Sequence, residues 1–270
     1  MHATQSRSLP LGAPFYVALF VALVVALLAG CAQMPQTPPL ELARERGEVV
    51  EVGRFLQKAA RSPLPDYWRP YIILPGKPRT EYALVNTSEG VALEANSEAS
   101  ASGLVRRIRI DPRSHPVLTW RWRIEDLIPG ADMRLAHRED SPARLMVSFH
   151  GDAKNLDFVE RSRMRMAKAL SGSEVPYATL MYVVANDLPV GTVIPNPHTE
   201  RVQMIVVASG AQQAGEWLEF RRDVLADYRR AFGEEPWDIV AVGVMTDSDN
   251  TGKSARCHYG DISFLERPAR

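Results

Sequence analysis

Residues 118–125 alternate strictly between apolar and polar side chains, which restricts this stretch to a β-strand with one buried face. The apolar side chains are Leu118, Trp120, Trp122 and Ile124, and the polar ones are Thr119, Arg121, Arg123 and Glu125. Successive side chains of a strand point to opposite faces of a sheet, so the pattern predicts tryptophans in a core and arginines on the outer face.

Similar short runs recur between turn residues along the chain after residue 47, and each predicts a strand. They are residues 81–85, 91–97, 104–110, 117–125, 143–150, 179–185, 202–208, 217–221, 239–246 and 256–265. Two segments, 156–170 and 224–232, are typical of helices, the second with Asp223 as N-cap and Gly233 as the C-terminal stop. Many strands with few helices predict a mainly β fold, a single β-sandwich domain over residues 47–270 with one or two peripheral helices.

The strand at 143–150 repeats the alternation, with Arg144, Ser148 and His150 on the face opposite Leu145, Val147 and Phe149. If this strand lies beside the strand at 117–125, four basic side chains form one patch on the outer face of a sheet. They are Arg121, Arg123, Arg144 and His150. Such a patch is either a ligand-binding surface or a solvated face with local ion pairs.

The N-terminus has the pattern of a secretory signal peptide: Arg7 in a polar start, then an apolar run, then small residues. Leu28-Ala29-Gly30-Cys31 resembles the lipobox of bacterial lipoproteins, in which the cysteine is acylated, commonly with palmitate. We therefore expect a signal peptide over residues 1–30, lipidation at Cys31 and a flexible tether over residues 31–46; a transmembrane anchor is the alternative. Ala32, in place of an aspartate, favours the outer membrane, facing the periplasm of the cell envelope.

Charge and cysteine content exclude some functions. The chain carries 32 basic and 32 acidic residues, and this balance argues against a global preference for nucleic acid or for a membrane surface. If Cys31 is lipidated, Cys257 has no disulfide partner.

The predicted helix at residues 156–170 carries four basic residues, Arg161, Arg163, Arg165 and Lys168. They indicate either a solvated basic face or a site for lipid headgroups or polyanions.

The segment 247–252, Asp-Ser-Asp-Asn-Thr-Gly, resembles the first half of an oxygen-rich calcium loop. His258 stands where an EF-hand needs a glutamate, so a structural calcium ion would need a ligand from elsewhere. The candidate ligands are Asp247, Asp249 and Asp261. The alternative is a polar β-turn held by side-chain hydrogen bonds.

The sequence contains no recognised catalytic motif, which favours a protein that is not an enzyme. Cys257 and His258 are adjacent on a predicted strand, so they point to opposite faces and make a poor nucleophile–base pair. The alternative function is an envelope hydrolase or lyase that acts on glycans with carboxylates near Asp140 or Asp247.

Several segments together resemble the domain-of-unknown-function family 3047, over roughly residues 50–266. They are residues 99–104, 118–123, 196–199, 222–224 with 227–233, 245–252 and 259–264. The family implies no reaction. The last two segments also resemble the final strands of galactose-binding-like jelly rolls, which implies a carbohydrate-binding-like sandwich. The expected partner is then an envelope glycan, bound by the arginine patch together with Asn250 and Tyr259.

Overall fold

The structure is a computed structural model that describes residues 49–171 and 174–267. The predicted signal peptide, Cys31 and the tether lie outside the described residues. Within the described ranges, no helix is both long and apolar enough to cross a membrane.

The described chain forms a sandwich of two β-sheets. In chain order the strands are β1 (Val49–Gly53), β2 (Trp68–Ile72), β3 (Glu81–Thr87), β4 (Gly90–Glu98), β5 (Ala101–Ile110), β6 (Val117–Ile124), β7 (Ser141–Phe149), β8 (Ala178–Ala185), β9 (Val193–Asn196), β10 (Thr199–Ser209), β11 (Leu218–Asp223), β12 (Ile239–Asp247) and β13 (Ser254–Leu265). The six-stranded sheet has the order β11-β6-β13-β4-β3, with β1 also paired to β13; the seven-stranded sheet has the order β2-β5-β12-β7-β8-β10-β9.

Consecutive strands repeatedly change sheets. β4, β6 and β13 belong to the six-stranded sheet, whereas β5, β7 and β12 belong to the seven-stranded one. Such crossing between two layers, which are antiparallel except for the parallel pair β8 and β10, is the connection pattern of jelly rolls. The predicted mainly β sandwich of jelly-roll type is confirmed.

The main core fills the space between the sheets, and the tryptophans of β6 lie in it as predicted. Trp120 packs against Phe220 and Tyr182, with ring centroids 4.8 and 5.0 Å apart, and Trp122 is completely buried. A second cluster, rich in methionine, buries part of the opposite face of the seven-stranded sheet. It includes Met146, Met181, Met204 and Met245. Both faces of this sheet are therefore buried in its centre.

Two α-helices flank the sheets. The helix α1 spans Phe158–Ser171, and α2 spans Val224–Phe232. The predicted ends of α2 are confirmed: the Asp223 carboxylate accepts a hydrogen bond from the backbone N–H of Ala226 at 2.9 Å, and Gly233 has a left-handed φ of 70°.

The predicted four-residue basic patch is wrong, because β6 and β7 lie in different sheets. β6 pairs with β11 and β13, whereas β7 pairs with β12 and β8. Arg121 and Arg123 lie on the outer face of the six-stranded sheet. Arg144 is buried in the seven-stranded sheet, and His150 is exposed just beyond β7, beside Trp237.

Candidate ligand-binding site

Arg144 is the centre of a buried network of charges. Its guanidinium donates to both oxygens of Asp247, with Nε–Oδ1 at 2.6 Å and Nη2–Oδ2 at 3.0 Å, and its Nη1 lies 2.9 Å from Oε1 of Glu139. Buried charges are tolerated when each has a well-oriented partner. The network therefore fixes the start of β7 to the end of β12.

Burial and charge act in opposite directions on these groups. Burial raises the pKa of Asp247 to about 7, although Arg144 acts to lower it. Burial acts to lower the pKa of Arg144, but the neighbouring charges of Asp247 and Glu139 dominate and raise it. The guanidinium therefore stays charged, while the carboxyl of Asp247 titrates near neutral pH.

Two further aspartates lie beside this network. Carboxylate oxygens of Asp140, Asp247 and Asp249 lie within 4.8 Å of one another. Asp140 accepts hydrogen bonds from the backbone N–H and the hydroxyl of Thr251, at 2.7 and 2.6 Å, and Asp249 pairs with Lys77. The calcium site stays a prediction, and each of the three carboxylates has at least one partner in the described chain.

Asp261, the third predicted calcium ligand, and Tyr259, a predicted ligand-binding residue, make other contacts. Asp261 accepts hydrogen bonds from the backbone N–H groups of Phe55 and Leu56, at 2.6 and 3.0 Å, next to β1. The buried hydroxyl of Tyr259 donates to the carbonyl of Met245 at 2.6 Å. Tyr259 thus ties the two sheets together and does not present its hydroxyl to a ligand.

Glu139 connects the network to the surface. Its Oε1 also accepts from Nδ2 of Asn196 at 2.9 Å, and its Oε2 lies 3.9 Å from Nε2 of the exposed His198. Asn250 donates from its side chain to the Glu139 carbonyl at 3.4 Å. The 196–199 and 245–252 segments, far apart in sequence, therefore meet at Glu139, which the sequence did not single out. The carboxylates of Glu139 and Asp247 are both buried, and both accept hydrogen bonds from the Arg144 guanidinium.

A second candidate lies on the outer face of the six-stranded sheet, where Arg121, Arg123, Trp217 and His258 form what we call the arginine–tryptophan face. The Arg121 guanidinium carbon lies 4.5 Å from the centroid of the Trp217 ring, and Nη1 lies 2.5 Å from Oε2 of Glu89. This arrangement is a cation–π stack that holds both side chains flat on the sheet.

Gly260 gives Arg121 the space to lie across β13. A Cβ atom at this position would fall 2.4 Å from Cγ and 2.6 Å from Nε of Arg121. Any larger residue at position 260 would therefore push Arg121 off the sheet, at little cost to the fold, because only a flexible side chain has to move.

His258 lies between two charged neighbours. It pairs across strands with Arg123 on β6 and with Glu94 on β4, and its Nε2 lies 3.2 Å from Oε2 of Glu94. Burial and the charge of Arg123 lower the pKa of His258, which Glu94 only partly opposes. The imidazole is therefore neutral at pH 7; with its proton on Nε2 toward Glu94, Nδ1 carries a lone pair.

Six buried side-chain nitrogens have no hydrogen-bond partner among the residues that the structure describes, and three of them lie on this face. Those three are Nε of Arg123, Nε1 of Trp217 and Nδ1 of His258, and the others are the indole nitrogens of Trp68, Trp120 and Trp122. Leaving a buried polar atom unsatisfied costs about 1–3 kcal/mol, so such groups call for an explanation. Two N–H donors and one acceptor close to an aromatic ring form the kind of polar set that orients a hydroxylated ligand.

The sequence revealed only half of this face. Period-two alternation placed Arg121 and Arg123 on one side of β6, but it could not show that Trp217 and His258 lie beside them. Those contacts depend on the pairing of β6 with β11 and β13, strands that follow about a hundred residues later.

The sequence profile of a family described as Protein of unknown function (DUF3047) matches residues 66–263. The chain belongs to this family. A search of curated proteins gives no match.

Solved structures with related architecture include a family 12 xyloglucanase from Bacillus licheniformis in complex with ligand, with 8% identity and a TM-score of 0.42 over 82% of this chain and 100% of that one. The K2 cleaved adhesin domain of Lys-gingipain gives 9% identity and a TM-score of 0.37, covering 80% of this chain and 99% of that one. The xylan-binding module CBM15 gives 11% identity and a TM-score of 0.33, covering 82% and 98%. Similarity at this level carries no information about function.

Proposed function

We propose that this DUF3047 protein is a non-catalytic, lipid-anchored protein of the bacterial cell envelope whose arginine–tryptophan face binds an acidic saccharide. The observation that carries the proposal is the group of three buried, unpartnered nitrogens around Trp217. A bound ligand that satisfies them would recover the free energy that the free protein loses there.

The chemistry of the face favours a saccharide with carboxylate groups. The guanidinium groups of Arg121 and Arg123 suit planar anions, which they bind with paired hydrogen bonds. Nδ1 of His258 accepts from a hydroxyl, and the Trp217 ring offers an apolar surface to the C–H face of a sugar. Since the three nitrogens are out of contact with solvent, a ligand reaches them when the half-buried side chain of Trp217 or Arg123 shifts.

Titration calorimetry with uronic-acid oligosaccharides and with their neutral counterparts tests the proposal. A shallow sheet face buries little ligand surface, so we expect a Kd of about 10 μM to 1 mM. The acidic oligosaccharide should bind more tightly, and binding should weaken as salt is added.

Three variants locate the site. Trp217→Ala and Arg123→Ala should abolish measurable binding, and Gly260→Ala should weaken it, because it displaces Arg121 while keeping its charge. Arg109→Ala, which removes an exposed arginine from the other sheet, is the matched control and should bind normally. Equal binding by all four variants, or no binding by the wild type, would show that this face is not a saccharide site.

The same samples test the hydrolase alternative. If reducing ends are released and the release is lost in Glu139→Gln, the function belongs to the buried network and the protein is an enzyme. We expect no release, since Arg144 holds both carboxylates.

A further inference from the structure

The helix α1 is exposed along most of its length, and few of its side chains hold it to the sandwich. Among the α1 residues whose side chains the structure describes, Glu160 is the buried one, and its carboxylate accepts a hydrogen bond from the Thr199 hydroxyl on β10 at 2.9 Å. The helix begins after Asp157, whose Oδ1 accepts from the Glu160 backbone N–H at 2.8 Å. Met164 also packs against the main core from this helix.

Large apolar side chains are exposed on one side of α1. Phe158, Val159 and Met166 are 70%, 53% and 67% exposed. At about 100° per residue these three fall within an arc of roughly 100° around the helix axis. Grouped exposed apolar side chains of this size mark a surface that binds a partner.

Cations border this apolar arc. Arg161 and Arg165 form no ion pair with any described carboxylate; they donate to the Lys154 carbonyl and the Ser162 hydroxyl. Both apolar and charged side chains line a cavity of about 420 Å³ beside the helix. Phe158, Arg161, Met164 and Arg165 are among the residues that line it.

The helix α1 lies at the same end of the sandwich as Val49. Val49, the first described residue, pairs with Leu265, which also pairs with Val117 at the start of β6. A short turn joins Val117 to Ile110 on β5, and Ile110 and Phe149 lie on either side of the same residue of β12. The chain runs from Phe149 into α1, so the helix and Val49 share one end of the domain.

We propose that α1 lies on the surface of an anionic phospholipid bilayer, with Phe158, Val159 and Met166 in the headgroup–acyl boundary and Arg161 and Arg165 on phosphates. Apolar side chains bordered by arginines are the pattern of helices that lie in a membrane interface. This inference rests on the proposed envelope location, and it adds the surface by which the domain rests on its membrane. Because α1 and Val49 lie at the same end of the domain, we expect α1 to contact the bilayer that would hold a lipidated Cys31.

Vesicle co-sedimentation tests this without the lipid anchor. Both sheets and all described core clusters lie within residues 49–267, so a chain that begins at Ala32 keeps the whole described fold. This chain should bind vesicles of equimolar phosphatidylglycerol and phosphatidylcholine and not vesicles of phosphatidylcholine alone. Binding to both alike, or to neither, would overturn the proposal.

Paired variants identify the surface. Arg161→Gln with Arg165→Gln should lower the partition constant by roughly tenfold or more, and Phe158→Ser with Met166→Ser by a similar factor. The matched control is Arg134→Gln with Arg138→Gln, which removes the same charge from the exposed loop before β7 and should bind as the wild type does. Equal losses in the control and the α1 variants would mean that net charge alone drives binding and that α1 is not the contact.

The test also separates this inference from the anchor. If the chain from Ala32 binds vesicles while Cys31 proves to be unmodified, α1 remains a membrane contact and only the anchor is wrong. Circular dichroism of each variant, with unchanged β-sheet signal, shows that the substitutions have not unfolded the domain.

Discussion

Asp247 is a residue through which pH should act on stability. Its pKa is about 7 in the folded protein, against an ordinary value of 3.8, because it is buried. Between these two pH values the unfolded chain gives up a proton that the folded protein keeps. The contribution of Asp247 to the free energy of unfolding is therefore largest below about pH 4. It falls by about 1 kcal/mol per pH unit as the pH rises toward 7.

The measurement is the free energy of unfolding of wild type and Asp247→Asn from pH 4 to pH 8. The difference between the two proteins should be largest near pH 4 and should shrink as the pH rises. Asp132→Asn is the control: hydrogen bonds from Arg134 lower the pKa of Asp132, so its contribution to stability is already complete above about pH 4 and its difference from wild type should stay constant from pH 5 to pH 8. A difference that stays constant or grows from pH 4 to pH 7 would show that Asp247 is ionised throughout.

Arg144 shows what alternation along a strand cannot predict. The alternation in β7 correctly placed Arg144 opposite Leu145, but it implied a solvated face. That face is covered in its centre by methionines, which are spread over several strands, and by the loop that carries Glu139. A partner for a buried arginine can be anywhere in the sequence, so period-two reasoning could give the direction of the side chain and not its burial.

At the scale of elements, β6 makes a quantitative prediction. Trp120→Ala and Trp122→Ala should each cost about 3–5 kcal/mol of unfolding free energy, because both side chains are buried between the sheets. Arg121→Ala, on the opposite face of the same strand, should cost under about 1 kcal/mol, since its ion pair with Glu89 is partly exposed. Urea denaturation of the three variants measures these differences, and equal small losses at all three would contradict the facing of the strand.

The ten predicted strands all occur, with ends shifted by a few residues, whereas β1, β2 and β9 were missed. Two of these, β2 and β9, are edge strands that contain Pro70 and Pro195. Proline cannot donate a hydrogen bond to a neighbouring strand and is tolerated at the edge of a sheet. Its presence made both segments resemble turns in the sequence, so neither was predicted as a strand. The sequence likewise could not assign strands to sheets, because that depends on pairing between distant segments.

For the whole molecule, the sandwich and its single main core followed from the strand pattern, while the candidate face and the buried network required the sheet order. Apolar side chains from both sheets meet in one cluster that runs from β1 to β13. Alternation is a local signal that each strand carries by itself. The arginine–tryptophan face is a property of three strands that only the folded chain brings together.

The lipid anchor is a prediction about the whole chain, and it rests on Leu28-Ala29-Gly30-Cys31. Two or three acyl chains on Cys31 would hold the protein on the membrane, since each buried CH₂ contributes about 0.8 kcal/mol. Expressed with its own signal peptide, the wild type should fractionate with membranes, resist extraction by salt, and have a mass that fits cleavage before Cys31 plus acyl groups. Cys31→Ser should stay unprocessed and carry no lipid, whereas Cys257→Ser, at the buried core cysteine, should be processed and acylated normally. A wild-type protein recovered in the soluble fraction without added mass at its N-terminus would contradict the anchor and leave α1 to account for any membrane contact.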